Sequence, residues 1–539
     1  MSRLTIVSLL SLAVLLVVGV PASAQQETVT YTGYIDSNVT SKTYSLPLIE
    51  GQAVLILMEA TSGDLDTTIT LFDPEGQIVA SNDDRAADTY DSALGYIAPV
   101  SGDYSVTAGR WEDGDSSGSY ELKITIGDES VLESLESMTR VSLSGDKLIR
   151  DTQHFRIHYT LTGVDATTEG YVSAMALTLE EVWRIQIDRM GWPAPPPDGF
   201  LGGDERFDVY VMDVLGSDIS AMGYTSPESI IGDNPYTSDV ESYASTSYFV
   251  VDNDFLNTDS GGKTAISLMR ATVAHEFHHA IQFGYDINDL HDWYYEATAT
   301  WMETKTLIKD EDATGYVAYT FQYPELCFGT ASDPGDGQLM YGEWTFMQYL
   351  VDRFGDDAVL ELWHNIGKYE GFEALQNFLI PRSSSIPEAV ALYRIKNVAR
   401  DYQLAPMFDA TVWQEASIDG TGRWTYDGRG VQELGANYFA LAPEEAGLYY
   451  AGLVNDDGLL QLWAVGVTAD SVEAIPLGRG GSVDTSQFDY TYLMVFNPAY
   501  HDDVNDCRYS DYAIDISRSK ENANIPVMEW SAQYFEPLG

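Results

Sequence analysis

Between residues 28 and 127, apolar positions recur every second residue in short bursts, "AVLILMEA", "TTITLFD", "YSVTAGR" and "YELKITI". Period two sends alternate side chains to opposite faces of an extended chain. Turn chemistry separates the bursts: "DPEG" at 73–76, "SGD" at 101–103 and "DGDSSGS" at 113–119. This pattern predicts a β-sandwich over 28–127. Residues 128–150 are polar and serine-rich and read as a linker.

At 151 the rhythm changes. "HFRIHYTL", "RFDVYVMDV" and "STSYFVVDNDF" read as strands. Between them, Val172, Met175, Leu179, Val182 and Ile185 recur at helical spacing until "PAPPPDG" stops the run. In "GGKTAISLMRATVAHEFHHAIQF", residues 261–283, the apolar side of a helix is Ile266, Met269, Val273, Phe277 and Ile281. Helical patterns follow at 291–308, 341–354 and 371–379. Strands first and helices after predict a central α+β domain over 151–399. From 400 to 539, "ANYFALA", "LLQLWAVGV" and "TYLMVFNPA" return to β spacing and predict a second sandwich. The expected fold is therefore multidomain, with a β-sandwich at each end.

The ends and the charge narrow the setting. Arg3, an apolar run over 4–20 and "ASA" at 22–24 make residues 1–24 a secretory signal peptide. No later apolar run is long enough to span a bilayer. After signal removal the chain is expected to be secreted without membrane insertion. Lys plus Arg number 28 against 83 Asp plus Glu, a net charge of −55. Phosphate recognition needs clustered basic residues, so nucleic acid is excluded as a partner. Two cysteines, Cys327 and Cys507, leave one bridge or two free thiols open.

The N-terminal run "GDLDTTITLFDPEGQIVASNDD", followed by "SGDYSVTA" and "SGSYELKI", resembles the bacterial pre-peptidase C-terminal domain. The resemblance implies an accessory β-sandwich attached to a secreted peptidase. Asp66, Asp83, Asp84 and Asp91 could gather at one loop end there and take Ca2+, or they could be solvated turn acids.

The chemistry concentrates in "VAHEFHHAIQFGY", residues 273–285, which holds three of the eight histidines. His275 and His279 are four apart, so a helix projects both from one face in successive turns. Two imidazoles so placed can reach one tetrahedral zinc, and Glu276 lies beside the metal where it can take a proton from water. His278 is expected to point off that face. A third ligand belongs on a nearby element. Downstream, "HDWYYEATATWMETK" carries Trp293, Glu296 and Glu303, with 16 residues between His279 and Glu296.

The HExxH helix with this downstream segment resembles the gluzincin metallopeptidases, and more closely a group of secreted bacterial metalloproteases that carry HExxH between β modules. The resemblance implies a zincin-like central domain, with His275, His279 and Glu296 on Zn2+, Glu276 as general base and Glu303 orienting a ligand. It implies Tyr341 as a donor to the oxyanion, with His291 a weaker candidate. Residues 247–255 are either the strand that pairs with a peptide substrate or an interior strand. The Gly-Ala-Met-Glu-Asn type segment of the aminopeptidase branch is absent, so the expectation is an endopeptidase acting on proteins or peptides. Two alternatives stand beside it: an inactive zincin-like binding or adhesion protein, and a zinc hydrolase of non-peptide substrates.

Overall fold

A computed structural model describes residues 26–518, apart from 87–88, 112–114, 200, 218–220, 257, 259–260, 307–308, 311, 333, 336 and 426–429. The expected signal peptide lies outside the described residues. The chain is rich in β-sheet towards both ends, with most of its helices between. It forms two compact units. One runs to Thr139 apart from Ile78–Ser81; the other takes Ile78–Ser81 and everything from Arg140.

In the first unit two antiparallel sheets face each other. One has the order Glu27–Ile35, Gly118–Gly127, Ala53–Ala60, Ser92–Ile97, and the other Ser41–Leu48, Gly102–Arg110, Thr67–Phe72. Period-two burial is plain in Ser41–Leu48, where Tyr44, Leu46 and Leu48 are buried and the residues between them exposed. The hydroxyls of Tyr44 and Tyr120, one from each sheet, meet at 2.7 Å in the shared core, so the polar ends of two buried aromatics satisfy one another.

The second unit begins at Arg140, whose fully buried guanidinium binds Asp198, Asp208 and Glu228. In its first sheet Ile78–Ser81 is followed by Gly223–Gly232, Ala244–Asp252, Phe207–Met212, Phe155–Tyr159 and Leu148–Asp151, with Ile78–Ser81 joined to Gly223–Gly232 at the pair Ser81 and Ile230. Ala244–Asp252, Phe207–Met212 and Phe155–Tyr159 are parallel, and Gly223–Gly232 and Leu148–Asp151 are antiparallel to the strands beside them. Ala244–Asp252 is buried at every position, as expected of a strand covered on both faces. Residues 247–252 therefore lie in an interior strand, the second of the two readings of the segment 247–255, whose last three residues fall beyond the strand. The stretch Gly223–Pro227, which the sequence offered no reason to single out, has its ladder partners only in Ser247–Val251 among the described residues.

Against this sheet lies the motif helix, Ala265–Phe283. Thr264 caps its start by accepting from the Ser267 amide, and Gly284 follows its last turn. From Ala271 to Gln282 every residue is buried. The return helix, Asp292–Thr306, packs on it, and helices Ala313–Gln322, Trp344–Phe354, Ala358–Ile366, Gly371–Leu379 and Ile386–Ala399 complete the helical layer.

Two further sheets close the chain. One has five strands, Ala416–Ile418, Ala436–Leu441, Tyr490–Phe496, Gln461–Val467 and Val472–Gly478; the other has four, Gly422–Thr425, Ala513–Arg518, Leu448–Val454 and Gly480–Asp484. Alternation along the five-stranded sheet divides its residues between two cores. Phe439, Leu493 and Val495 fill the space between the two sheets, whereas Tyr438, Met494 and Phe496 join the core of the helical layer. The Tyr438 hydroxyl donates to the Arg394 carbonyl in helix Ile386–Ala399 at 2.8 Å.

Cys327, in the loop after Ala313–Gln322, is bonded to Cys507 between the last two strands, 180 residues on. Closing so long a loop removes conformational freedom from the unfolded chain. Replacing both cysteines with serine is expected to lower stability by about 2–5 kcal/mol. Denaturant midpoints of the oxidised parent and the double variant measure this, and equal midpoints contradict it.

Candidate metal centre

The site is built from two helices that meet behind Gly223–Pro227. Helical spacing brings the Nε2 atoms of His275 and His279 to 3.0 Å from each other. From the return helix, Glu296 Oε2 lies 3.2 Å from His275 Nε2 and 3.6 Å from His279 Nε2. Four-coordinate zinc with bonds near 2.0 Å sets its donor atoms about 3.3 Å apart. The three measured edges bracket that value, so the residues fit the ion. Among the described residues one other group of potential donors converges, Cys327, Cys507 and Glu433. Its sulfurs are bonded to each other and are not available as thiolates.

Each histidine of the triad is held from behind. His275 Nδ1 lies 3.1 Å from Glu303 Oε1, and the other oxygen of Glu303 accepts from the Asp312 amide at 2.8 Å. A carboxylate can only accept here, so Nδ1 carries a hydrogen and Nε2 is the nitrogen turned toward Glu296 and His279, where a bound cation would take its lone pair in place of a proton. His279 Nδ1 lies 2.7 Å from Gln282 Oε1. His278 points the other way. It is fully buried, with Nδ1 3.1 Å from Gln186 Oε1 and its ring edge-on to Trp192.

Electrostatics favour a cation between these groups. Burial opposes charge on His275, but hydrogen bonds with Glu296 and Glu303 outweigh it and hold its pKa well above the ordinary value. Burial likewise raises the Glu296 carboxyl, yet its hydrogen bonds with both imidazoles pull it far below the carboxylate range. His278 has no such partners, and burial together with the nearby His279 and His275 drives its pKa well below normal.

Glu276 flanks the triad. Its Oε2 accepts from the Thr225 hydroxyl at 2.8 Å, which fixes the carboxylate against the strand Gly223–Gly232. The strand can approach this closely because residue 223 is glycine: a Cβ there would stand 2.8 Å from Thr272 Cγ2 and 3.3 Å from Glu276 Cγ. Tyr341 lies over the site with its ring parallel to that of His275, centroids 5.8 Å apart. Burial, the charge of Glu296 and a hydrogen bond with it keep the Tyr341 phenol protonated far above the usual range. Tyr316 packs beside Tyr341 at 5.0 Å. His275, Glu276, Tyr316 and Tyr341 line a cavity of about 350 Å3, together with Met222, Gly223 and Leu268.

His275, His279, Glu296, Glu303, Glu276 and Tyr341 are thus brought together. His291 is not: it is fully buried, its Nε2 is 2.9 Å from the Asp502 carbonyl, and its ring packs edge-on against Phe372. In the first unit, Asp66, Asp83 and Asp84 share a neighbourhood; burial and the charges of Asp83 and Asp66 raise the Asp84 carboxyl to about 6. Asp91 is engaged elsewhere, accepting from the Ala60 amide at 2.8 Å and pairing with Arg85 at 3.3 Å. Thr225, Gln282, Tyr316 and Asp312 escaped the sequence reading. Only Gln282, three residues after His279 on the same helix, carried a spacing that could have exposed it.

Comparison with known proteins adds little detail. A family model matches at residues 262–463. It describes a family of unknown function (DUF6055), and the matched span contains the motif helix, the return helix and Tyr341. No curated protein matches. Among solved structures, the pre-peptidase C-terminal domain of a Bacillus anthracis collagenase is similar at 17% identity and a TM-score of 0.16, over 18% of this chain and 88% of that one. A functionally unknown conserved protein of Bacillus anthracis str. Ames is similar over 88% of this chain and 100% of its own, at 10% identity and a TM-score of 0.26. The IMPa protein of Pseudomonas aeruginosa, in complex with an O-glycopeptide, is similar at 10% identity and a TM-score of 0.22, over 71% of this chain and 49% of that one. These scores are low, and the functional reading rests on the site itself.

If the triad holds the metal, His279→Ala loses stoichiometric zinc after dialysis while His278→Asn retains it. Elemental analysis decides, and zinc retained by His279→Ala refutes the ligand set.

Proposed function

We propose that this chain is a secreted zinc metallopeptidase with a zincin-like catalytic domain that cuts within protein or peptide chains. The observation that carries the reading is the triangle of His275 Nε2, His279 Nε2 and Glu296 Oε2, with edges of 3.0, 3.2 and 3.6 Å. A catalytic zinc site requires three protein donors and one open position, whereas structural sites close the fourth position with protein; here His275, one of the three donors, lines a cavity together with Glu276 and Tyr341. When bound, zinc supplies Lewis acidity, polarising the scissile carbonyl and lowering the pKa of water at the site toward neutral.

The chain's own residues do the rest. Glu276, anchored by Thr225, takes the proton from the attacking water at its carboxylate and delivers it to the departing amine nitrogen. Tyr341 keeps its phenolic hydrogen and donates it as a hydrogen bond to the oxygen on which charge develops. Glu303 holds the His275 ring through Nδ1. The stretch Gly223–Pro227, beside Glu276, offers main-chain groups to an extended peptide, and pairing of that kind demands little of the substrate's side chains.

The disulfide Cys327–Cys507 supports export, since such bridges persist in oxidising compartments. No described helix is long and apolar enough to cross a membrane.

Glu276→Gln keeps size and hydrogen bonding but removes the base. It is expected to retain zinc and to lose about 100-fold or more of the turnover on a denatured protein substrate. Gel and fluorescence assays of cleavage, run beside metal analysis, measure this. Equal proteolysis by variant and parent overturns the assigned role. Absence of proteolysis from the zinc-loaded parent would instead favour the binding-protein alternative.

A further inference from the structure

We propose that Gln282 is a positioning residue for the metal centre, one side chain that sets the tautomer of His279 and fixes the distance between the two ligand-bearing helices. The proposal rests on the zinc reading above.

Gln282 is fully buried at the end of the motif helix. Both ends of its amide are used. Oε1 faces His279 Nδ1 at 2.7 Å, and Nε2 donates to the Tyr295 carbonyl at 3.0 Å. Chemistry fixes the orientation of the amide. The Tyr295 carbonyl can only accept, so the NH2 end must face it and the oxygen must face the imidazole. An amide oxygen can only accept, so His279 Nδ1 must carry the hydrogen. The lone pair is then left on Nε2, the atom that stands 3.0 Å from His275 Nε2 and 3.6 Å from Glu296 Oε2. The opposite amide orientation would set the Gln282 oxygen against the Tyr295 carbonyl, acceptor against acceptor.

The second bond matters as much. Tyr295 immediately precedes Glu296, so the carbonyl that receives the Gln282 hydrogen belongs to the return helix one residue before its ligand. Gln282 therefore joins the second histidine ligand and the carboxylate ligand through one rigid amide. Loss of either hydrogen bond would leave a buried polar group unpaired and free the ring or the helix to drift.

The fold supplies a matched control. Gln186 does the same service for the histidine that is not in the triad: Oε1 faces His278 Nδ1 at 3.1 Å, Nε2 donates to the Ala274 carbonyl at 3.0 Å, and the side chain is fully buried. A role in packing alone predicts equal consequences for the two glutamines.

The test measures zinc affinity of the full chain by competition with a chelating dye, with thermal melting alongside. Gln282→Met is expected to bind zinc about 10- to 100-fold more weakly than the parent. Gln186→Met, though its melting temperature also falls, is expected to stay within about threefold, because the ring it supports faces away from the triad. Gln282→Glu keeps the acceptor for Nδ1 but loses the donor to the Tyr295 carbonyl, and should bind zinc more tightly than Gln282→Met and more weakly than the parent. Should the methionine variant not fold, Gln282→Asn, one methylene short of bridging both partners, carries the same expectation of weakened binding. Equal zinc affinity in the Gln282 and Gln186 methionine variants, or a Gln282→Glu variant no better than Gln282→Met, overturns the proposal and leaves the triad standing. A parent that binds no zinc removes the metal reading itself, and no difference between variants then remains to be compared.

Discussion

Burial of the motif helix on all sides is the constraint from which the rest of the site follows. A polar group withdrawn from water must find a partner or costs about 1–3 kcal/mol. Between Ala271 and Gln282 the helix carries three imidazoles, a carboxylate and an amide, all buried. Each has a partner: Glu303 and Glu296 on the return helix for His275, Thr225 on the adjacent strand for Glu276, Gln186 for His278, and Gln282 of the same helix for His279, the Gln282 amide reaching on to the Tyr295 carbonyl. These bonds both relieve the cost of burial and dictate where each ring and carboxylate points. The chemistry of the site and the stability of the domain are for this reason hard to separate, since the same bonds serve both.

Three carboxylates, Glu276, Glu296 and Glu303, surround the two triad imidazoles. Glu296 is held ionised by its hydrogen bonds with the imidazoles, and no lysine or arginine side chain lines the adjoining cavity among the described residues. A divalent ion placed between the ligands would supply the positive charge that this environment favours. The protein's extreme acidity contributes no more than background to that preference, because exposed charges more than about 8–10 Å away are screened by salt while buried neighbours are not.

What could be read in the sequence is what depends on short-range periodicity. His275 and His279 share a face because four residues make about one helical turn, and Glu296 and Glu303 share a face of the return helix for a similar reason; the distances in the fold agree with that reasoning. The paired β bursts of 28–127 became two sheets because strict alternation leaves few other options. Where burial is uniform, periodicity carries nothing. Helix Ile386–Ala399 is buried almost throughout, so it has no polar face to mark its period, and it was not anticipated. Thr225 was equally invisible: it reaches Glu276 from 51 positions away, and neither its type nor its surroundings distinguish it from any other threonine in a strand. Residues 247–255 were a candidate for substrate pairing by their place in the chain order, whereas pairing depends on which strand lies outermost, and that is settled by topology.

The five-stranded sheet near the carboxyl terminus has no inert face. One side of Ala436–Leu441 and Tyr490–Phe496 seals the sandwich, and the other seals the helical layer, with Tyr438 hydrogen-bonded into helix Ile386–Ala399. A sheet with two apolar faces cannot be a detachable appendage. Cut away at residue 399, helix Ile386–Ala399 would present bare hydrophobic surface to solvent, and the severed sandwich would present its complement. The helical layer and the sandwich should therefore travel as a single inherited block.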